Sequence, residues 1–141
     1  MKTKTQINVF IVEDNDIYAK SLQGFIIAHF PEIKIRIFPV GETCLMKMHL
    51  NPNIVIMDYF LNSKYDEAQN GLEIIKRIKA HNPQINIIVL SAQENYNVVL
   101  DAIKQYGCFY VQKDEKAFNK VEQMIKNFNY KDNLVFEPSI L

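Results

Sequence analysis

The chain has 141 residues, with 16 Lys plus Arg against 16 Asp plus Glu for a formal net charge of zero, 48% hydrophobic and 23% charged residues. That length suits one compact domain able to bury about 68% of its unfolded surface, and the composition excludes a wholly disordered or low-complexity chain. The neutral balance excludes a bulk positive field for nucleic acid or an anionic membrane, and two cysteines without CxxC spacing, Cys44 and Cys108, exclude a disulfide scaffold and read as reduced structural thiols.

The first element is a strand over 7–12, apolar except for Asn8 and ended by Glu13-Asp14. Lys2 and Lys4 precede it, but the run is too short and too interrupted for a signal peptide. No run reaches the roughly 18 apolar residues of a membrane span, so a soluble cytoplasmic protein is expected. A helix is predicted over 16–29, then a strand over 33–38 and a helix over 42–50. The third strand spans 54–57 and precedes a helix over 72–81. The fourth strand, 85–90, leads to a helix over 95–106, and the fifth, 108–111, to a helix over 115–128. Pro31, Pro52 and Pro83 fall just beyond three helix ends, where proline cannot continue a helix.

The first, third and fourth strands are apolar at nearly every position, as central strands of a parallel sheet covered on both faces must be. The alternation predicts an α/β fold: a (βα)5, doubly wound, parallel five-stranded sheet with right-handed crossovers. Residues 1–128 form the expected domain. Residues 62–70 are polar and charged and are expected as a long loop before the third helix. The tail, 129–141, carries Leu134, Val135, Phe136, Ile140 and Leu141, apolar for a free end. Packing on the domain, pairing with a partner (a second copy included) and the start of a linker are all open to it.

Ligands of open α/β sheets bind beyond the carboxyl ends of the strands. Those ends carry Glu13 and Asp14, then Asp58, Ser91 and Lys113. Singly, each has an ordinary explanation: Asp14 or Asp16 as a helix cap, Asp58 in an Asx turn, Ser91 as a cap, Lys113 as a solvated surface charge. Jointly they demand more, because carboxylates near 4 Å repel by about 4 kcal/mol at an effective dielectric of 20. Mg²⁺ would offset this, since it prefers oxygen ligands and keeps waters that a phosphate can displace. Carboxylates, a lysine and a hydroxyl on one rim suit phosphoryl transfer.

In that order and at those strands, the residues resemble the response-regulator receiver domain, the phospho-acceptor module of two-component signalling, over 7–128. The resemblance implies a flavodoxin-like sheet of order 2-1-3-4-5. It implies Asp58 as phosphoacceptor and Mg²⁺ (or Mn²⁺) held by Asp14 and Asp58, by Glu13 through water and by the backbone carbonyl of Phe60. Ser91, followed by Ala92, and Lys113 match the phosphoryl-binding hydroxyl and lysine. Tyr110 matches the aromatic switch, and Gly71-Leu72 the opening of the third helix. Tyr96, Tyr106 and Phe118 are expected on the partner face of the fourth helix, fifth strand and fifth helix. A sensor histidine kinase or histidine phosphotransfer protein would donate the phosphoryl group, and a downstream protein would read it; neither nucleic acid nor membrane is an expected direct partner, and a homodimer is open. As no room remains for an output domain, a single-domain regulator is expected, an enzyme only toward its own phosphorylation and dephosphorylation.

Three features depart from the family. Lys113 is followed by Asp114 in place of proline, whose cis bond aims the family's lysine, so Lys113 sits either in a strained turn or in a trans one aimed differently. The stretch from Asp58 to Gly71 is several residues longer than usual. Phe60 and Gln93, two beyond Asp58 and two beyond Ser91, stand at the positions that in the family flank the path of the attacking water. Two alternative functions follow: a degenerate receiver acting as a phosphorylation-independent binding module, and a haloacid-dehalogenase-type phosphatase using Asp14, suggested by Asp14-x-Asp16 after an apolar strand but leaving Asp58 without a role.

Overall fold

The computed structural model describes residues 6–59, 65–92, 100 and 104–128, with 65–70 described by backbone alone. Its elements are β1 (Asn8–Val12), α1 (Asp16–His29), β2 (Lys34–Phe38), α2 (Gly41–Leu45), a 3₁₀ turn (Met48–Leu50), β3 (Ile54–Asp58), α3 (Tyr65–His81), β4 (Asn86–Ser91), β5 (Phe109–Gln112) and, last among the described helices, α4 (Ala117–Asn127). The five strands form one sheet in the order β2-β1-β3-β4-β5, every pairing parallel. This is the expected doubly wound, flavodoxin-like arrangement.

Side-chain alternation along each strand divides the core in two. Val9, Ile11, Ile54, Ile56, Ile88 and Leu90 join Leu22 and Ile26 of α1 and Val121 and Ile125 of α4. The intervening residues Phe10, Val12, Val55, Met57, Ile87 and Val89 join Cys44 and Met48 on one side and Ile75 and Ile78 of α3 on the other. Because both faces are covered, β3 is buried at every residue and needs no polar position. The edge strand β2 instead exposes Lys34 and Arg36. Both thiols are buried, and burial pushes Cys44 up to about 12 and Cys108 to about 11, as fits inert core residues.

Two expectations need correction. The helix expected over 42–50 stops at Leu45 and resumes as the 3₁₀ turn Met48–Leu50. The stretch expected as a loop through residue 70 is helical from Tyr65. The sequence there, Asp66-Glu67-Ala68-Gln69, contains helix formers, no proline, and acids suited to a helix N-terminus. Residues 60–64, which include Phe60 and the start of that loop, lie outside the described residues, as do Gln93, Tyr96, most of the expected fourth helix, and 129–141. No helix among the described residues is long and apolar enough to cross a membrane.

Candidate functional site

The rim site follows from strand parity. Ile11 and Glu13 alternate to the α1/α4 face, as do Ile56 and Asp58, and Val111 and Lys113. Backbone bonds carry the ladders past the strand ends and hold these residues level: Glu13 N donates to Phe38 O at 2.9 Å, Tyr59 N to Leu90 O at 2.8 Å, and Lys113 N to Ser91 O at 2.8 Å. Lys113 Nζ donates to Glu13 Oε1 at 2.8 Å and to Asp58 Oδ2 at 3.0 Å. Glu13 and Asp58 are buried, at 3% and 8% exposure. The Lys113–Asp114 bond is trans, no cis peptide occurring among the described residues, and Lys113 nonetheless reaches Asp58.

Glu13, Asp14 and Asp58 bring carboxylate oxygens within 4.8 Å of one another. Three carboxylates against one ammonium leave two negative charges, the complement of one divalent ion, and an all-oxygen donor set suits Mg²⁺ or Mn²⁺. The electrostatics register the excess. Burial and then the Glu13 charge push Asp58 up from 3.8 to about 6, against the pull of Lys113. For Lys113, burial alone would lower the ammonium, but the bond to Glu13 and the attraction of Asp58 carry it above its ordinary value. A cleft of about 200 Å³ beside Asp14 and Asp58 is walled by Val12, Met57 and Ile74.

Gly71 shapes the support of Asp58. A Cβ there would come within 2.8 Å of the Tyr59 ring, and Tyr59, 2% exposed, directly follows Asp58. The glycine thus lets α3 press against the residue that anchors Asp58.

Ser91 and Tyr110 fall on the opposite parity. Ser91 is fully buried; Tyr110 pairs with Val89 across the β4–β5 ladder, two residues before Ser91, and packs on the α2/α3 cluster with Tyr106. The hydroxyl of Tyr110 is buried. Phe118 is not beside Tyr106: it lies between α4 and α1, its ring centroid 5.4 Å from those of both Tyr18 and Phe25.

Two residues at the site escaped the sequence reading. The cap of α1 is Asn15, whose Oδ1 accepts from Tyr18 N at 2.9 Å, rather than Asp14 or Asp16; Asp16 pairs with Lys20 at the surface, away from the acidic cluster. Tyr18 sets its ring 4.3 Å from Lys113 Nζ, and burial raises its hydroxyl against the pull of Lys113. Helical spacing gave no signal for it, since Asp14 precedes the Asn15 cap and lies outside α1.

The family model of the response regulator receiver domain matches residues 9–126. The response regulator protein VraR of Staphylococcus saprophyticus is 22% identical over 136 residues, covering 96% of this chain and 62% of that protein, so the chain spans less than two-thirds of that relative's length. A solved CheY-like response regulator receiver domain protein from Methanospirillum hungatei superposes with a TM-score of 0.71 at 15% identity, over 91% of this chain and 98% of that one. The response regulator DrrB of Thermotoga maritima, an OmpR/PhoB homolog, gives a TM-score of 0.71 at 19% identity, over 96% and 58%. At such identities the structural likeness speaks to the fold.

Proposed function

The chain belongs to the response regulator receiver domain family, and from that membership we propose that it accepts a phosphoryl group on Asp58 from a histidine kinase or histidine phosphotransfer protein and thereby switches its affinity for a downstream protein. The observation that carries this reading is the buried Asp58 carboxylate bonded to Lys113 at 3.0 Å within a cluster of three acids.

Asp58, at about 6, is mostly ionised at neutral pH and so can act as nucleophile. Lys113 occupies Oδ2, which leaves Oδ1 to form the new O–P bond as the P–N bond of the donor breaks and its electron pair returns to the imidazole. The divalent ion, when bound, supplies positive charge to the phosphoryl oxygens. Asp14 and Asp58, with the Phe60 carbonyl, would hold it directly. Glu13 already gives Oε1 to Lys113 and Oε2 to the Asn15 amide, at 2.8 and 3.0 Å, which suits an outer role through water. Lys113 then meets one phosphoryl oxygen and Ser91 another. Attack by water on the phosphorus breaks the Asp58 O–P bond, releases inorganic phosphate and returns Asp58 to its free carboxylate, so the chain acts on its own phosphoryl group and turns over no other substrate.

The readout follows from parity. A phosphoryl group adds about −1.5 to −2 charge and three acceptors, drawing the Ser91 hydroxyl toward Asp58. Tyr110, on the same face of the sheet as Ser91, follows it inward and changes partner affinity by roughly 1–3 kcal/mol. We assign 1–128 to this receiver unit, 129–141 to a tail beyond it, and the cytoplasm as its location. Neither nucleic acid nor membrane is a direct partner in this reading.

Intact-mass measurement with Mg²⁺ and acetyl phosphate or a phosphorylated kinase tests it. Wild type should gain one acid-stable, base-labile phosphoryl group, lost in Asp58→Asn. No gain by wild type, or equal gain by the variant, ends the proposal.

A further inference from the structure

We propose that Tyr18 is a positioning residue that aims Lys113: the face of its ring, 4.3 Å from Nζ, holds the ammonium between Glu13 and Asp58. The inference deepens the phospho-acceptor reading and rests on it for its consequence, while its first test does not depend on phosphorylation.

The turn after β5 fixes where Lys113 starts and leaves open where it ends. Lys113 N bonds Ser91 O at 2.8 Å and Asp114 N bonds Gln112 O at 2.9 Å, which holds the backbone. The lysine stem nevertheless has four rotatable bonds and a head that attracts any nearby oxygen. Asp114 and Glu115 stand exposed in the same turn as competing anions. A wall that favours the inward rotamer is therefore needed, and an aromatic face is one that attracts a cation without neutralising it.

Tyr18 is built to be such a wall. Its backbone amide is held by the Asn15 cap at 2.9 Å, and its ring meets Phe118 edge-on, with centroids 5.4 Å apart. An aromatic side chain with two torsions, braced on both sides, keeps its place while the lysine moves. Its hydroxyl is buried and finds no hydrogen-bond partner among the described residues. Burial without a bond is a cost, so the contribution of this side chain at the site lies in the ring, and phenylalanine should serve equally well.

The first experiment uses the metal-free, unphosphorylated chain and reads the Lys113 ε-methylene protons by NMR. The ring current should shift them upfield in wild type and in Tyr18→Phe, and the shift should vanish in Tyr18→Met, which keeps apolar bulk without a ring. The second measures the rate at which acetyl phosphate with Mg²⁺ labels Asp58. Tyr18→Phe should stay within about twofold of wild type and Tyr18→Met should slow about tenfold. An upfield shift that persists in Tyr18→Met, or that Tyr18→Phe loses equally, overturns the proposal. Should Tyr18→Met fail to fold, wild type alone decides, since unshifted Lys113 protons refute the contact. A shifted Lys113 in a wild-type protein that takes no label sinks the phospho-acceptor reading and leaves Tyr18 as the wall, so the two failures read apart.

Discussion

At the scale of single residues, the site is a charge imbalance held in place by packing. Glu13 and Asp58 are both buried and share one ammonium, so the second carboxylate is ionised at a cost. That cost has a sign in pH. Folded Asp58 titrates near 6 against 3.8 for the ordinary group, so between those values the folded state holds a proton that the unfolded state has released. Raising the pH through that window lowers stability, and above it the full penalty stands, roughly 2–3 kcal/mol for such a shift. Asp58→Asn removes the charge and should stabilise the metal-free protein by about 1–3 kcal/mol at pH 7.5, the loss of one Lys113 partner offsetting part of the gain, with little difference near pH 4. Urea unfolding in EDTA at the two pH values checks this. A variant less stable than wild type at pH 7.5 would mean that the Lys113 pair outweighs the burial of charge.

At the scale of elements, helix ends and strand ends meet to make the site, and their junctions are sensitive. The acids Glu13 and Asp14 and the cap Asn15 fill the short link between β1 and α1, and Tyr18 follows in the first turn of α1. The junction of β3 with α3 is tighter still, because a methyl group at Gly71 would press on a fully packed tyrosine ring rather than on a flexible side-chain end. Gly71→Ala should therefore cost about 1–3 kcal/mol in urea unfolding and slow the labelling of Asp58, whose neighbour Tyr59 must yield. A neutral result would show that α3 shifts freely at its start. The same helix illustrates a limit of local reading. Polar residues 65–70 read as loop because amphipathic periodicity begins only at Leu72, yet their helix-forming residues carry α3 back to Tyr65 without an apolar stripe.

At the scale of the whole molecule, ligation and folding are linked. If the two excess negative charges are met by a divalent ion, the ion binds the folded state alone and stabilises it by RT ln(1 + [ion]/Kd), about 2.7 kcal/mol at a hundredfold excess over Kd. Mg²⁺ should raise the Tm of wild type in a concentration-dependent way and leave those of Asp14→Asn and Asp58→Asn nearly unchanged. Equal rises in all three would assign the effect to general ionic screening.

The order of elements, the parallel sheet and the meeting of Glu13, Asp14, Asp58 and Lys113 at one rim were legible in the amino-acid sequence, because unbroken apolar runs and the residues that end them are local properties that a doubly wound sheet converts directly into position. Other features were decided only in three dimensions: the reach of Lys113 through a trans peptide to both Glu13 and Asp58, the Tyr18 ring beneath its ammonium, and the turn of Phe118 toward α1 instead of Tyr106. Each depends on how far one packed element stands from another and how it is rotated. That distance is set by the side chains filling the layer between them, so no stretch of chain read alone contains it.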